Sequence, residues 1–154
     1  RWYNKANQIY GYEGVRVYIE EPAPGMSASQ TLTVTPDMTA ESIRSGAARV
    51  FSTPSMIALM ECAAVAAVEP CLEAGWISVG TALNVEHLAP TPIGLAVTAI
   101  ARLLSADGRR LRFAVEARCG DEIIGRGTHE RVVVHHERFM ARAGEKLRHQ
   151  PERP

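Results

Sequence analysis

The chain has 154 residues, 46% of them hydrophobic, which suits one domain with a sizeable core. Its 17 basic and 17 acidic side chains cancel to a formal net charge of zero, which argues against nucleic acid as the main partner, because phosphate binding calls for a basic surplus. Three cysteines, Cys62, Cys71 and Cys119, show no CxxC spacing and give neither a disulfide framework nor a zinc site; free thiols in a reducing cytoplasm are the expectation.

Residues 1–25 differ in composition from the rest of the chain. Residues 1–14 are aromatic and polar, Val15, Val17 and Ile19 alternate weakly, and EPAPGM at 21–26 has the composition of a linker. No apolar stretch of the signal-peptide kind comes after the early charges, so this segment is expected to be a leader or extension. TLTVT at 31–35 is a short strand rich in β-branched residues. Residues 36–49 are polar and small without a period, which suits a loop or loose helix lying over a site.

Ser52, Thr53 and Pro54 open a helix. Either hydroxyl can cap it, and proline fits the first turn, where its missing N–H costs nothing. The helix is expected to run from Ser55 to about Leu72, with Gly75 as a stop nearby. It is apolar nearly all round (Met56, Ile57, Leu59, Met60, Ala63, Ala64, Val65, Ala67, Val68), as a buried helix is. Its apolar run at 56–68 contains Glu61 and falls short of the about 20 residues a bilayer requires, so no membrane is implied.

Four strand-like segments come next. Residues 77–88 would put Val79, Thr81, Leu83, Val85 and His87 on one face. APTPIG at 89–94 stops that strand, and 95–104 is the next. Asp107 and Gly108 make a hairpin turn into 110–118, where Leu111, Phe113, Val115 and Ala117 alternate with Arg112, Glu116 and Arg118. A turn at 119–121 leads to a strand over 122–135, and 138–148 is a charged helical tail. The order predicts an α+β fold, an antiparallel sheet wrapped around one long buried helix. It forms a single domain over 26–142, with a charged C-terminal tail over 143–154.

Glu61 is the strongest chemical signal. A carboxylate in an apolar helix has to be paired, hydrogen-bonded or protonated, and desolvation suits a general base, a nucleophile or a satisfied structural acid. Thr53 lies eight residues earlier, which is roughly 80° of turn and about 12 Å of rise, so both side chains can border one groove. A hydroxyl at a helix N-terminus sits among free N–H groups, where it either caps the helix or helps polarise a carbonyl. His87 closes an apolar strand face, as a core residue or a catalyst. His129, His135 and His136 show no metal-ligand spacing. Gly125 and Gly127 flank Arg126 within a strand and suggest a bulge or a close backbone approach to a ligand. No P-loop, dinucleotide fingerprint or GxSxG elbow is present.

Four pieces resemble a known family: VFSTPSMIALMECAAVAAVEP, SVGTALNVEHLAPTPIG, DGRRLRFAVEAR and IGRGTHERVVV, in this order over residues 50–142, about three-fifths of the chain. Together they look like the fluoroacetyl-CoA thioesterase-like branch of the hotdog thioesterases. The resemblance implies catalytic roles for Thr53, Glu61 and His87. It also implies a Gly80 backbone N–H that helps hold the thioester carbonyl, and Arg131 near the substrate. It implies an acyl-CoA substrate, no metal, no cofactor beyond the CoA that enters as part of the substrate, and a homodimer with the site at its interface. The fluoroacetyl-specific member carries phenylalanines ahead of its threonine. ESIRSGAAR at 41–49 has none, and Ala47 stands at the gate position. The expectation is therefore hydrolysis of a small or medium acyl-CoA, without selection for fluoroacetyl. A non-catalytic acyl or hydrophobic-ligand binder and an enoyl-CoA hydratase-like enzyme are the alternatives.

Overall fold

The alternation of residues 110–118 survives intact in the folded chain. Leu111, Phe113, Val115 and Ala117 are buried, while Arg112 is exposed on the other face. A computed structural model describes residues 14–148. Its elements are β1 (Ser27–Thr33), α1 (Thr53–Val68), β2 (Trp76–His87), β3 (Ala96–Asp107), β4 (Arg110–Cys119), β5 (Glu122–His135) and α2 (His136–Arg148). Among the described residues the five strands form one sheet in the order β1-β3-β4-β5-β2, every pairing antiparallel. Asp107 pairs with Arg110 and Cys119 with Glu122, so two-residue turns join β3 to β4 and β4 to β5.

The helix begins at Thr53, two residues before the expected Ser55, and ends at Val68, four before the expected Leu72. Ser52 is the N-cap: its hydroxyl accepts from the Ser55 N–H at 3.1 Å. α1 buries Met56, Leu59, Met60, Ala63, Ala64, Ala67 and Val68 against the sheet. Each large side chain contributes about 1.5–3 kcal/mol by leaving water, and the alanines let helix and sheet approach closely. A 3-10 turn over Glu69–Cys71, with Pro70 in it, ends the helix. By length and composition Thr53–Cys71 would pass for a membrane span; the face buried against the sheet accounts for part of that composition. The opposite side has no polar face yet stays open in the single chain. Thr53, Pro54, Ala58 and Cys62 are exposed, and Ile57, Glu61 and Val65 are partly so.

β2 departs from the expected alternation. Its register shifts between Gly80 and Ala82, leaving Thr81 as an extra residue. Before the shift Ser78 pairs with Val133 and Gly80 with Arg131; after it Leu83 pairs with His129 and His87 with Gly125. All of these lie on the α1 side, whereas Val79 pairs with Val132 on the outer side. The single apolar face from Val79 to His87 is thus broken in two, and Ser78 and Gly80 take the inner places at its start.

Gly125 and Gly127 serve packing inside the chain. A Cβ on Gly125 would collide with Met56 of α1, and one on Gly127 with the backbone of Asn84 in β2. Residues 1–13 of the N-terminal extension and 149–154 of the tail lie outside the described residues. Within the extension Tyr18 is buried, and its hydroxyl donates to the Gly108 carbonyl at 2.8 Å. α2 buries none of its described residues.

Candidate active site

Ser52, as the cap, leaves the neighbouring hydroxyl free. Thr53 Oγ1 instead shares a hydrogen bond of 2.7 Å with His87 Nδ1, at the end of β2. The other ring nitrogen of His87 is buried with no hydrogen-bond partner among the described residues. Burial pushes the His87 pKa below its ordinary value of 6.5, opposed by the Ala89 backbone, so the ring is neutral at neutral pH. The loop expected to cover a site is tied down beside this pair. Met38 O accepts from Ser52 N at 3.0 Å, Thr91 O accepts from Phe51 N at 2.8 Å, and Val50 bridges to Pro92.

Two turns along α1, Glu61 enters a second cluster. Its Oε1 is 3.4 Å from Arg131 Nη1 and 3.7 Å from His129 Nε2. A side chain on Gly80 would collide with this same oxygen, so the carboxylate lies directly against the β2 backbone. The Glu61 side chain keeps 36% exposure, so it is reachable from the open side of the helix rather than sealed in the core. Arg131, only 5% exposed, is almost fully engaged. Its Nε donates to Ser78 Oγ at 2.9 Å, Nη2 to Ser78 O at 2.8 Å and Nη1 to His129 Nε2 at 3.0 Å. Burial pushes the Arg131 pKa down, with the Glu61 charge opposing. The guanidinium thus lies beside the carboxylate, with its donors turned to Ser78, His129 and Glu61.

The five residues singled out from the sequence therefore fall into two groups along one helix: Thr53 with His87, and Glu61 with Gly80 and Arg131. The bulge puts Gly80 and His87 on the same face. His129 and Ser78 complete the second group and were not singled out. The available signal was strand spacing: His129 is two residues before Arg131, and residues two apart on a strand share a face. Among the described residues no group of three or more His, Cys, Asp or Glu side chains is placed to hold a metal ion.

Comparison with known proteins gives the family. The model of the family described as fluoroacetyl-CoA-specific thioesterase matches residues 34–137. A fluoroacetyl-CoA thioesterase from Streptantibioticus cattleyicolor is 52% identical over 97 residues, which is 63% of this chain and 70% of that protein. A solved structure of the fluoroacetyl-CoA thioesterase FlK superposes with a TM-score of 0.78 at 39% identity, covering 86% of this chain and 100% of that one. A Thermus thermophilus member of the thioesterase superfamily superposes with a TM-score of 0.77 at 28% identity, covering 86% and 100%. The chain belongs to the fluoroacetyl-CoA-specific thioesterase family and is a hotdog-fold thioester hydrolase.

Proposed function

We propose that this enzyme hydrolyses a small or medium acyl-CoA to the free acid and CoA, with Glu61 as the reacting carboxylate. The observation that carries the reading is the pairing of a partly exposed carboxylate with a side-chain-free strand position, Gly80, at contact distance. A thioester carbonyl set against the Gly80 N–H is polarised there, and Thr53 and His87 orient it or the attacking water. Glu61 then acts in one of two ways. As general base it takes a proton from water, the water oxygen bonds to the carbonyl carbon, and the C–S bond breaks to release CoA. As nucleophile its oxygen bonds to that carbon, CoA leaves, and water hydrolyses the resulting anhydride. Arg131 supplies the positive charge beside the carboxylate, and the basic residues of the C-terminal tail meet CoA phosphates. Ala47 and the rest of 41–49 offer no aromatic gate, so the reading does not include selection for fluoroacetyl.

The enzyme is further read as a homodimer. β2 is an edge strand among the described residues, and Gly80, Thr81, Ala82, Leu83 and Asn84 are exposed. Open edges of this length are normally paired or covered. A second copy paired along β2 would cover both that edge and the open strip of α1, and would enclose Glu61. The cysteines are free thiols, which fits a reducing compartment, and the proposed location is the cytoplasm.

A panel of acyl-CoA esters assayed for free-thiol release, with Glu61→Gln and Thr53→Ala in parallel, tests the function. No release from any ester would refute it, and full activity in Glu61→Gln would refute the role of the carboxylate. Light scattering on the purified protein tests the dimer, which a monomeric mass would exclude.

A further inference from the structure

β2 carries two site residues whose spacing has the wrong parity. Gly80 and His87 are seven residues apart, and on a regular strand they would face opposite sides of the sheet. They share a face only because of the bulge at Thr81. A bulge takes backbone groups out of the ladder, and buried backbone groups need another partner. The Ala82 carbonyl, the first after the bulge, accepts a hydrogen bond from His129 Nδ1 at 2.9 Å.

His129 is fully buried in β5 and stacks on Phe113 with ring centroids 6.3 Å apart. Its Nε2 is 3.0 Å from Arg131 Nη1. A carbonyl can only accept a hydrogen bond, and a guanidinium can only donate one. One assignment satisfies both contacts: Nδ1–H donates to Ala82 O, and Nε2 accepts from Arg131. The ring is then neutral. Burial, the largest influence, and the Arg131 charge push its pKa down; the Ala82 carbonyl, Glu61 of α1 and Glu130 of β5 pull the other way, and the balance lies below the ordinary value. The same Arg131 Nη1 that donates to His129 also faces Glu61. At 3.7 Å from Glu61 Oε1, His129 Nε2 is beyond hydrogen-bond reach of the carboxylate. It acts through its two neighbours.

We infer that His129 is a positioning residue of the active site: a neutral Nδ1–H imidazole that ties the bulge of β2 to the guanidinium beside Glu61, and so holds Gly80 and Glu61 in mutual register. The inference rests on Glu61 being the reacting carboxylate and deepens that reading. Without the pin, the bulge carbonyl and Arg131 each lose a buried partner. Both the Gly80 N–H and the carboxylate then lose their placement.

Two measurements test it. In long-range 15N–1H spectra of the wild-type protein at neutral pH, His129 should show a protonated Nδ1 and an unprotonated Nε2; an Nε2–H tautomer or an imidazolium would overturn the inference. Against the best substrate of the acyl-CoA panel, His129→Phe keeps the ring beside Phe113 but removes both nitrogens. It should lower kcat about tenfold to a hundredfold with KM near its wild-type value. His129→Gln, which retains a donor and an acceptor, should recover part of that loss. Wild-type kcat in a folded His129→Phe protein would overturn the positioning role. Should His129→Phe not fold, the wild-type tautomer and the kcat of His129→Gln decide. A wild-type enzyme that releases no thiol refutes the catalytic reading instead, so the two failures are told apart.

Discussion

The two clusters along α1 are built in opposite ways. At the helix N-terminus, Thr53 and His87 meet through one hydrogen bond, Thr53 is exposed, and the second, buried nitrogen of His87 has no partner among the described residues. In mid-helix, Glu61 rests on a guanidinium that is held in turn by Ser78 and His129, with His129 bonded to the β2 backbone. The first pair is the less braced of the two. The second is preorganised, and preorganised charge does the most for a developing transition state. A single helix can thus present one tightly braced side chain and one loosely held one. One helix carries both, and two stretches of β2, on either side of a bulge, receive them.

The largest effects should come at the preorganised end. Glu61→Gln should lower kcat by on the order of a hundredfold to ten-thousandfold in the thiol-release assay, with the thermal midpoint close to wild type because the side chain is partly exposed. Next is Gly80→Ala, whose new methyl would displace the carboxylate and stand 3.2 Å from His129 Cε1; a loss of about tenfold or more in kcat is expected. Gly127→Ala is its control. Its methyl would run into the backbone of Asn84 and should cost about 1–3 kcal/mol of stability in denaturant titration, while the folded fraction keeps its kcat.

At the looser end the effects should be smaller. Thr53→Ala is expected to reduce kcat roughly tenfold or less through loss of one hydrogen bond. The thermal midpoint should hold, because Ser52 and not Thr53 caps the helix. Ser52→Ala should do the reverse and remove about 1 kcal/mol of stability. A large drop in the midpoint of Thr53→Ala would mean that its hydroxyl is structural. The smallest effect is on pH. His87 and His129 both have folded pKa values below 6.5 through burial. On acidification the unfolded chain therefore takes up these protons first. The stability they contribute is complete above about 6.5 and is lost as pH falls toward the folded values. Melting curves from pH 7.5 to 5 should decline over that window, and less steeply in His87→Gln.

Much of the frame was legible because its causes are local. The alternation of Leu111, Phe113, Val115 and Ala117, the turns after Asp107 and Cys119, and the helix start at Ser52–Thr53–Pro54 all depend on residues a few positions apart. Glu61 stood out for the same reason, as one acid in an apolar helix. Three features were not legible in this way. The apolar helix looked enclosed all round, yet its outward strip is open in the single chain. Composition reports how apolar a face is and not what lies against it. The exposure of Glu61 is a consequence of that open strip. Thr53 and Ser52 were interchangeable as caps until the backbone of residues 50–55 set which hydroxyl points back at the Ser55 N–H.

Local sequence suffices for the helix that carries Glu61 and Thr53 and for the strand that carries Gly80 and His87. These rest on side-chain periodicity and turn chemistry, which act over neighbouring residues. That Gly80 and His87 share a face, that Arg131 lies against Glu61 and that His129 bonds to both Arg131 and β2 arises only in the folded chain. Each of these depends on the register between β2 and β5, strands far apart in the chain. One inserted residue there reverses the face of everything beyond it.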